Sequence, residues 1–121
     1  MATPLQLLMV EDSDDDAQLV LVKLRRAGYN IEFIRVDNEP ELRAALDAKN
    51  WQIIVSDYAM PGFSGLKALQ ILRENDQDTP FILVSGTVGE EIAVEAMRCG
   101  ANDYIMKDNL ARLVPAIERE L

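Results

Sequence analysis

Five polar side chains stand where short apolar runs end, far apart along the chain. Glu11 and Asp12 follow the run Leu5-Gln6-Leu7-Leu8-Met9-Val10, and Asp57 follows the run from Trp51 to Ser56. Ser85 closes the run that begins at Phe81, and Lys107 follows Asp103 to Met106. Carboxylates gathered in one place repel, and each raises the pKa of the next. A divalent cation removes that conflict. Mg²⁺ takes oxygen ligands in an octahedron, commonly one or two carboxylates plus waters and phosphate oxygens. Asp12 and Asp57 suit direct ligation, and the longer Glu11 suits ligation or contact through a bound water. Asp57 is then an oxygen nucleophile able to attack phosphorus in line and form an acyl phosphate. The cation and Lys107 would meet the charge that develops, Ser85 would donate a hydroxyl hydrogen bond, and Gly86 lets backbone approach closely.

Each of these residues also has a plainer role. Asp14, Asp15 and Asp16 are read as favouring the first turn of a helix electrostatically. Glu11 and Asp12 suit helix caps, Asp57 suits a turn, and Ser85 suits a structural hydroxyl. The case for a site rests on all of them falling at strand ends together.

The elements that would position them alternate. Strands are expected at 5–10, 31–36, 51–56, 81–85 and 103–106. Between them the apolar spacing predicts helices at 14–27, closed by Gly28, and from Asp37 or Asn38 to Ala48 with Pro40 in the first turn. Further helices are expected at 66–74, 90–99 closed by Gly100, and from Asn109 to Leu121 with a disturbance at Pro115. Five strand–helix repeats imply an α/β fold, a parallel sheet with helices on both faces. In such sheets ligands bind beyond the C-terminal strand ends, where strand order reverses.

The chain of 121 residues suits one domain, 1–121, with one core; its 49% hydrophobic residues can fill that core. The formal charge of −9 argues against direct binding to nucleic acid or to an anionic membrane. No apolar run reaches the roughly 18 residues of a membrane span. The start, Met1-Ala2-Thr3-Pro4, lacks a secretory pattern, and the single Cys99 fits a reducing, cytoplasmic setting. With no histidine in the chain, Ser-His-Asp and Cys-His chemistry are excluded, and any phosphohistidine donor belongs to a partner. At Leu121 two readings stand open: a helix that frays, or one that continues into a longer signalling protein.

The segments Leu8-Met9-Val10-Glu11-Asp12, Val55-Ser56-Asp57-Tyr58-Ala59-Met60-Pro61, Leu83-Val84-Ser85-Gly86 and Asp103-Tyr104-Ile105-Met106-Lys107 resemble the response-regulator receiver domain of two-component signalling. The resemblance spans essentially the whole chain. It implies a (βα)₅ flavodoxin-like three-layer sandwich with five parallel strands in the order 2-1-3-4-5, a chemotaxis receiver being a standard example. It implies that Asp57 is the phosphoacceptor, and that Asp12, Asp57 and the backbone carbonyl of Ala59 hold Mg²⁺, with Glu11 reaching it through water. Lys107 matches the family's lysine, Ser85 its hydroxyl switch and Tyr104 its aromatic switch. Phosphorylation would draw Ser85 in, let Tyr104 rotate inward, and change the face of the fourth helix, fifth strand and fifth helix. The implied partners are a sensor histidine kinase or a histidine phosphotransfer protein, an effector domain in the same chain, and a second copy across that face. Glu95, Arg98, Asp103, Arg112 and Glu118 are the charges placed to pair there.

The chain departs from the common pattern in places. Glu11 stands where Asp is usual, Asp108 where proline often follows the lysine, and Ala59 and Thr87 are small at positions that tune acyl-phosphate hydrolysis. A phosphatase working through an aspartyl phosphate would want a second Asp where Ala59 stands. A flavin site would want a Ser/Thr/Gly-rich first loop, not Glu11-Asp12-Ser13-Asp14. A module that binds constitutively would not need the full set of site residues. Residues 84–91 and 113–121 look similar to receivers joined to sensor-kinase or cyclic-dinucleotide modules, while a stand-alone receiver fits equally.

Overall fold

The computed structural model describes residues 2–75, 78–86 and 89–121. Its main sheet has five parallel strands: β1 (Thr3–Val10), β2 (Tyr29–Val36), β3 (Ile53–Asp57), β4 (Phe81–Ser85) and β5 (Asp103–Met106). Their spatial order is β2-β1-β3-β4-β5, the doubly wound arrangement expected. Five main helices connect and close it: α1 (Asp14–Arg26), α2 (Glu39–Ala48), α3 (Gly65–Glu74), α4 (Glu90–Arg98) and α5 (Leu113–Glu120). Buried on both faces, the central strands read as continuous apolar runs.

Two cores result. Leu8, Val10, Ile54 and Leu83 pack with Leu42 and Leu46 of α2, Leu69 and Leu72 of α3, and Ala96 of α4. On the opposite face Leu7, Met9, Val55 and Ile105 pack with Leu21 and Leu24 of α1 and Ile117 of α5. Alternate strand residues therefore serve opposite layers, and the residue after each strand inherits a face.

Local chemistry sets the boundaries. Ser13 caps α1 by accepting from the Asp16 amide at 3.2 Å, and Gly28 takes φ 99° just beyond it. Asn38, not Asp37, caps α2, accepting from the Glu41 amide at 3.0 Å. Trp51 lies outside β3, which starts at Ile53 and runs on to Asp57. The Trp51 indole donates to the Ala45 carbonyl at 2.9 Å, so this aromatic is spent on closing α2. Between β3 and α3 an antiparallel ribbon pairs Ala59–Met60 with Phe63–Ser64 around Gly62, at φ 70°.

The last helix differs from its sequence expectation. Lys107–Arg112 form a 3₁₀ turn, and Asn109, at φ −134° and ψ 50°, breaks it instead of capping a long helix. The α-helix begins only at Leu113, so Pro115 falls in its first turn, where no intrahelical N–H is required. The disturbance sits at Asn109, not at Pro115.

Candidate functional site

The C-terminal ends of β1, β3, β4 and β5 line one rim in that order because β1 pairs with β3, β3 with β4 and β4 with β5 in parallel register. Glu11, Asp57 and Lys107 stand two residues past Met9, Val55 and Ile105, which face α1 and α5, and so share that side of the rim. Glu11, Asp12 and Asp57 offer carboxylate oxygens that lie within 4.8 Å of one another. Glu11 and Asp57 are buried and Asp12 is exposed, so the cluster opens to solvent on one side only. Glu11 Oε2 is buried with no hydrogen-bond partner among the described residues. An orphaned buried carboxylate oxygen is costly, and a hard cation beside two further carboxylates is what would satisfy it. The donor set fits a divalent cation with oxygen preference.

Lys107 Nζ is the cation in place. It lies 3.3 Å from Asp57 Oδ1, 3.3 Å from Glu11 Oε1 and 2.6 Å from Asp16 Oδ2. Burial acts to lower the Lys107 pKa, but the bond from Asp16 and the charges of Glu11 and Asp57 outweigh it and hold the ammonium above its ordinary value. Burial pushes the Glu11 carboxyl up to about 8; the Asp57 carboxylate adds to the rise, against the pull of Lys107. The bond to Lys107 holds Asp16 below its ordinary value. A small cavity of about 30 Å³, lined among others by Glu11, Asp57, Lys107 and Val84, lies under these groups.

Ser85 is buried at the end of β4. By strand alternation it shares the face of Leu83, and Tyr104 packs on that same layer, directly opposite Leu83 in the β4–β5 register. The two are diagonal neighbours on the α4 side of the sheet. Ala59 is exposed, two residues past Asp57, in the small ribbon. Thr87 lies outside the described residues. Asp103 is engaged within its own chain, with Arg119 at 2.8 Å and Arg112 at 3.5 Å.

Two neighbours of the site were not singled out from sequence. Asp16, read there only as a helix-favouring acid, grips Lys107. Its spacing of four from Asp12 gave no sign, because acids in a first helical turn need no other reason. The second is Gly65. A Cβ there would fall on the backbone oxygen of Asp57 and on the Leu83 side chain. Gly65 donates its N–H to the Tyr58 carbonyl at 2.8 Å, so the start of α3 is pressed against the end of β3.

Comparison with known proteins agrees with this architecture. A family model described as the response regulator receiver domain matches residues 7–118. The chain belongs to the response-regulator receiver family, signalling modules of two-component systems. It is 36% identical over 103 residues to the C4-dicarboxylate transport transcriptional regulatory protein DctD of Pseudomonas aeruginosa, covering 84% of this chain and 22% of that protein. It is 31% identical over 118 residues to the transcriptional regulatory protein YkoG of Bacillus subtilis, covering 93% of this chain and 51% of the relative. The chain thus spans between a fifth and about half of these relatives' lengths. The structure of the chemotaxis response regulator CheY4 of Vibrio cholerae superposes with a TM-score of 0.81 at 27% identity, covering 98% of this chain and 100% of that one. No described helix is long and apolar enough to cross a membrane.

Proposed function

We propose that this domain is a phosphorylation-dependent switch in which Asp57 accepts a phosphoryl group from a partner's phosphohistidine. The observation that carries this reading is the pairing of Lys107 Nζ with Asp57 Oδ1 at 3.3 Å beside the cluster of Glu11, Asp12 and Asp57 oxygens. An Asp57 carboxylate oxygen attacks phosphorus; the new O–P bond forms as the P–N bond to the partner imidazole breaks, and the electron pair returns to the ring nitrogen. Lys107 donates to a phosphoryl oxygen and meets the charge that gathers there.

Mg²⁺ is the cofactor this reading calls for; Asp12, Asp57 and the Ala59 backbone carbonyl would hold it, with Glu11 acting directly or through water. When bound it supplies positive charge to the carboxylates and to the transferring group. Asp12 and Glu11 would fix its position on the rim. Ser85 donates its hydroxyl to the phosphoryl group once formed, and Tyr104, diagonal to it, moves toward the space Ser85 leaves. Both lie on the layer that α4 covers, so the change reaches the α4–β5–α5 face. Val94 and Met97 of α4 are exposed there for a partner or a second copy.

The donor is a sensor histidine kinase or histidine phosphotransfer protein, and the setting is cytoplasmic. The domain is no independent enzyme; it promotes only its own phosphorylation and dephosphorylation. The relatives carry the names of transcriptional regulators and extend well past the matched region, which favours an effector domain in the same chain. Incubation with acetyl phosphate and Mg²⁺ tests the reading: the intact mass rises by about 80 daltons, the mass of one phosphoryl group, and Asp57→Asn abolishes the gain. A folded protein that gains no mass would refute it.

A further inference from the structure

We propose that Asp16 is a positioning residue that withholds Lys107 from the phosphoacceptor, setting how readily the site takes and keeps a phosphoryl group. This rests on the reading of Asp57 as acceptor. Lys107 has three N–H donors and three carboxylates around it, at unequal distances. The contact with Asp16, 2.6 Å, is the tight one; those with Asp57 and Glu11, both 3.3 Å, are slack. Charge-assisted N–H···O bonds close to roughly 2.7–2.9 Å when they are strong. The lysine is therefore anchored on α1 and only leans toward the acceptor.

Local structure leaves Asp16 free for this task. Its backbone N–H is taken by the Ser13 hydroxyl at 3.2 Å, so the first turn of α1 is already capped without its side chain. Lys107 opens the 3₁₀ turn that leaves β5, and the Asp16 bond ties that turn to α1. The pair is part-buried, with side-chain exposures of 38% for Asp16 and 27% for Lys107, and so is less screened than an open surface pair. A phosphoryl group on Asp57 can draw Lys107 onto its oxygens only by stretching the Asp16 bond. Asp16 also sets a fixed negative charge near the incoming anion.

Beryllofluoride with Mg²⁺, an acyl-phosphate mimic, gives an equilibrium readout. Asp16→Asn should bind it about 3- to 10-fold more tightly, the effect of losing one charge-assisted competitor, and should accept phosphoryl from acetyl phosphate faster. Asp16→Glu, which keeps the carboxylate, should stay near the parent. Asp15→Asn removes the same charge from the same turn at an exposed position and should change affinity little. Unchanged or weaker binding in Asp16→Asn, or an equal gain in Asp15→Asn, overturns the proposal.

A second measurement does not depend on phosphorylation. In the metal-free protein, amine acylation at Lys107 should speed up about 3-fold or more when Asp16→Asn replaces the charged acceptor with a neutral, weaker one. An unchanged labelling rate overturns the anchoring even if Asp57 is the acceptor. Faster labelling in a protein that never gains phosphoryl mass leaves the anchoring in place and overturns the reading of Asp57.

Discussion

Gly65 is packed so closely on Asp57 that a single methyl group would occupy the space of the Asp57 carbonyl oxygen. That atom is backbone, and it also accepts from the buried Ser56 hydroxyl at 2.9 Å, so it has little room to yield. Gly65→Ala should cost about 1–3 kcal/mol of stability, the usual range for overpacking. It should also slow phosphoryl acceptance, because reacting groups misplaced by about 1 Å lose rate by on the order of a hundredfold. Urea unfolding and the rate of mass gain with acetyl phosphate measure the two effects separately.

Glu11 makes stability depend on pH in the metal-free protein. Its folded pKa, about 8, stands above the ordinary 4.5, so between those values the folded state holds a proton that the unfolded chain has released. Stability should therefore fall as pH rises from about 4.5 to about 8, by on the order of a few kcal/mol. Mg²⁺ needs the ionised form, so its affinity should rise across the same window and its binding should release a proton. Thermal unfolding with EDTA across this range should show the slope, and Glu11→Gln should flatten it.

Arg73 offers a control remote from the site. It donates to the Thr79 carbonyl at 3.0 Å, to the Gly100 carbonyl at 2.8 Å and to Asn102 Oδ1 at 3.2 Å, tying the end of α3 to the chain entering β4 and β5. These contacts lie at the N-terminal ends of β4 and β5, whereas Asp57 stands at the C-terminal end of β3. Arg73→Met should lower stability by about 1–3 kcal/mol through unpaired acceptors, while beryllofluoride affinity in the folded protein stays the same. Denaturant melts and a fluorescence titration check the two halves of that expectation.

Ser85 and Tyr104 give a prediction of a different kind. Because they are diagonal neighbours on one face of β4 and β5, Ser85→Ala should leave the mass gain at Asp57 intact and uncouple it from Tyr104. The ring resonances of Tyr104 should shift on adding beryllofluoride in the parent and not in the variant.

The arrangement of the sheet was legible in the sequence because a parallel sheet covered on both faces writes its strands as bare apolar runs. Asp57, Glu11 and Lys107 were legible for the same reason: each is the first charge after such a run. Asp16 was not, since an acid in a first helical turn is already accounted for by the helix dipole, and its partner lies 91 residues on. Gly65 was hidden because what matters is the absence of a Cβ beside a neighbour that only folding supplies. Trp51 misled the start of β3, as its apolar body reads as strand while its N–H is used to close α2. Asn109 reads in the sequence as a helix cap, whereas its φ of −134° and ψ of 50° make it a break.

The central claim is that the phosphoryl group goes to one side chain. After phosphorylation with acetyl phosphate and Mg²⁺, borohydride reduces an aspartyl phosphate to homoserine at the modified position. Peptide sequencing by mass spectrometry should then find homoserine at position 57 and at no other acid. Homoserine at Asp12 or Asp16 with position 57 unmodified, or none anywhere in a protein that stays folded, would contradict it.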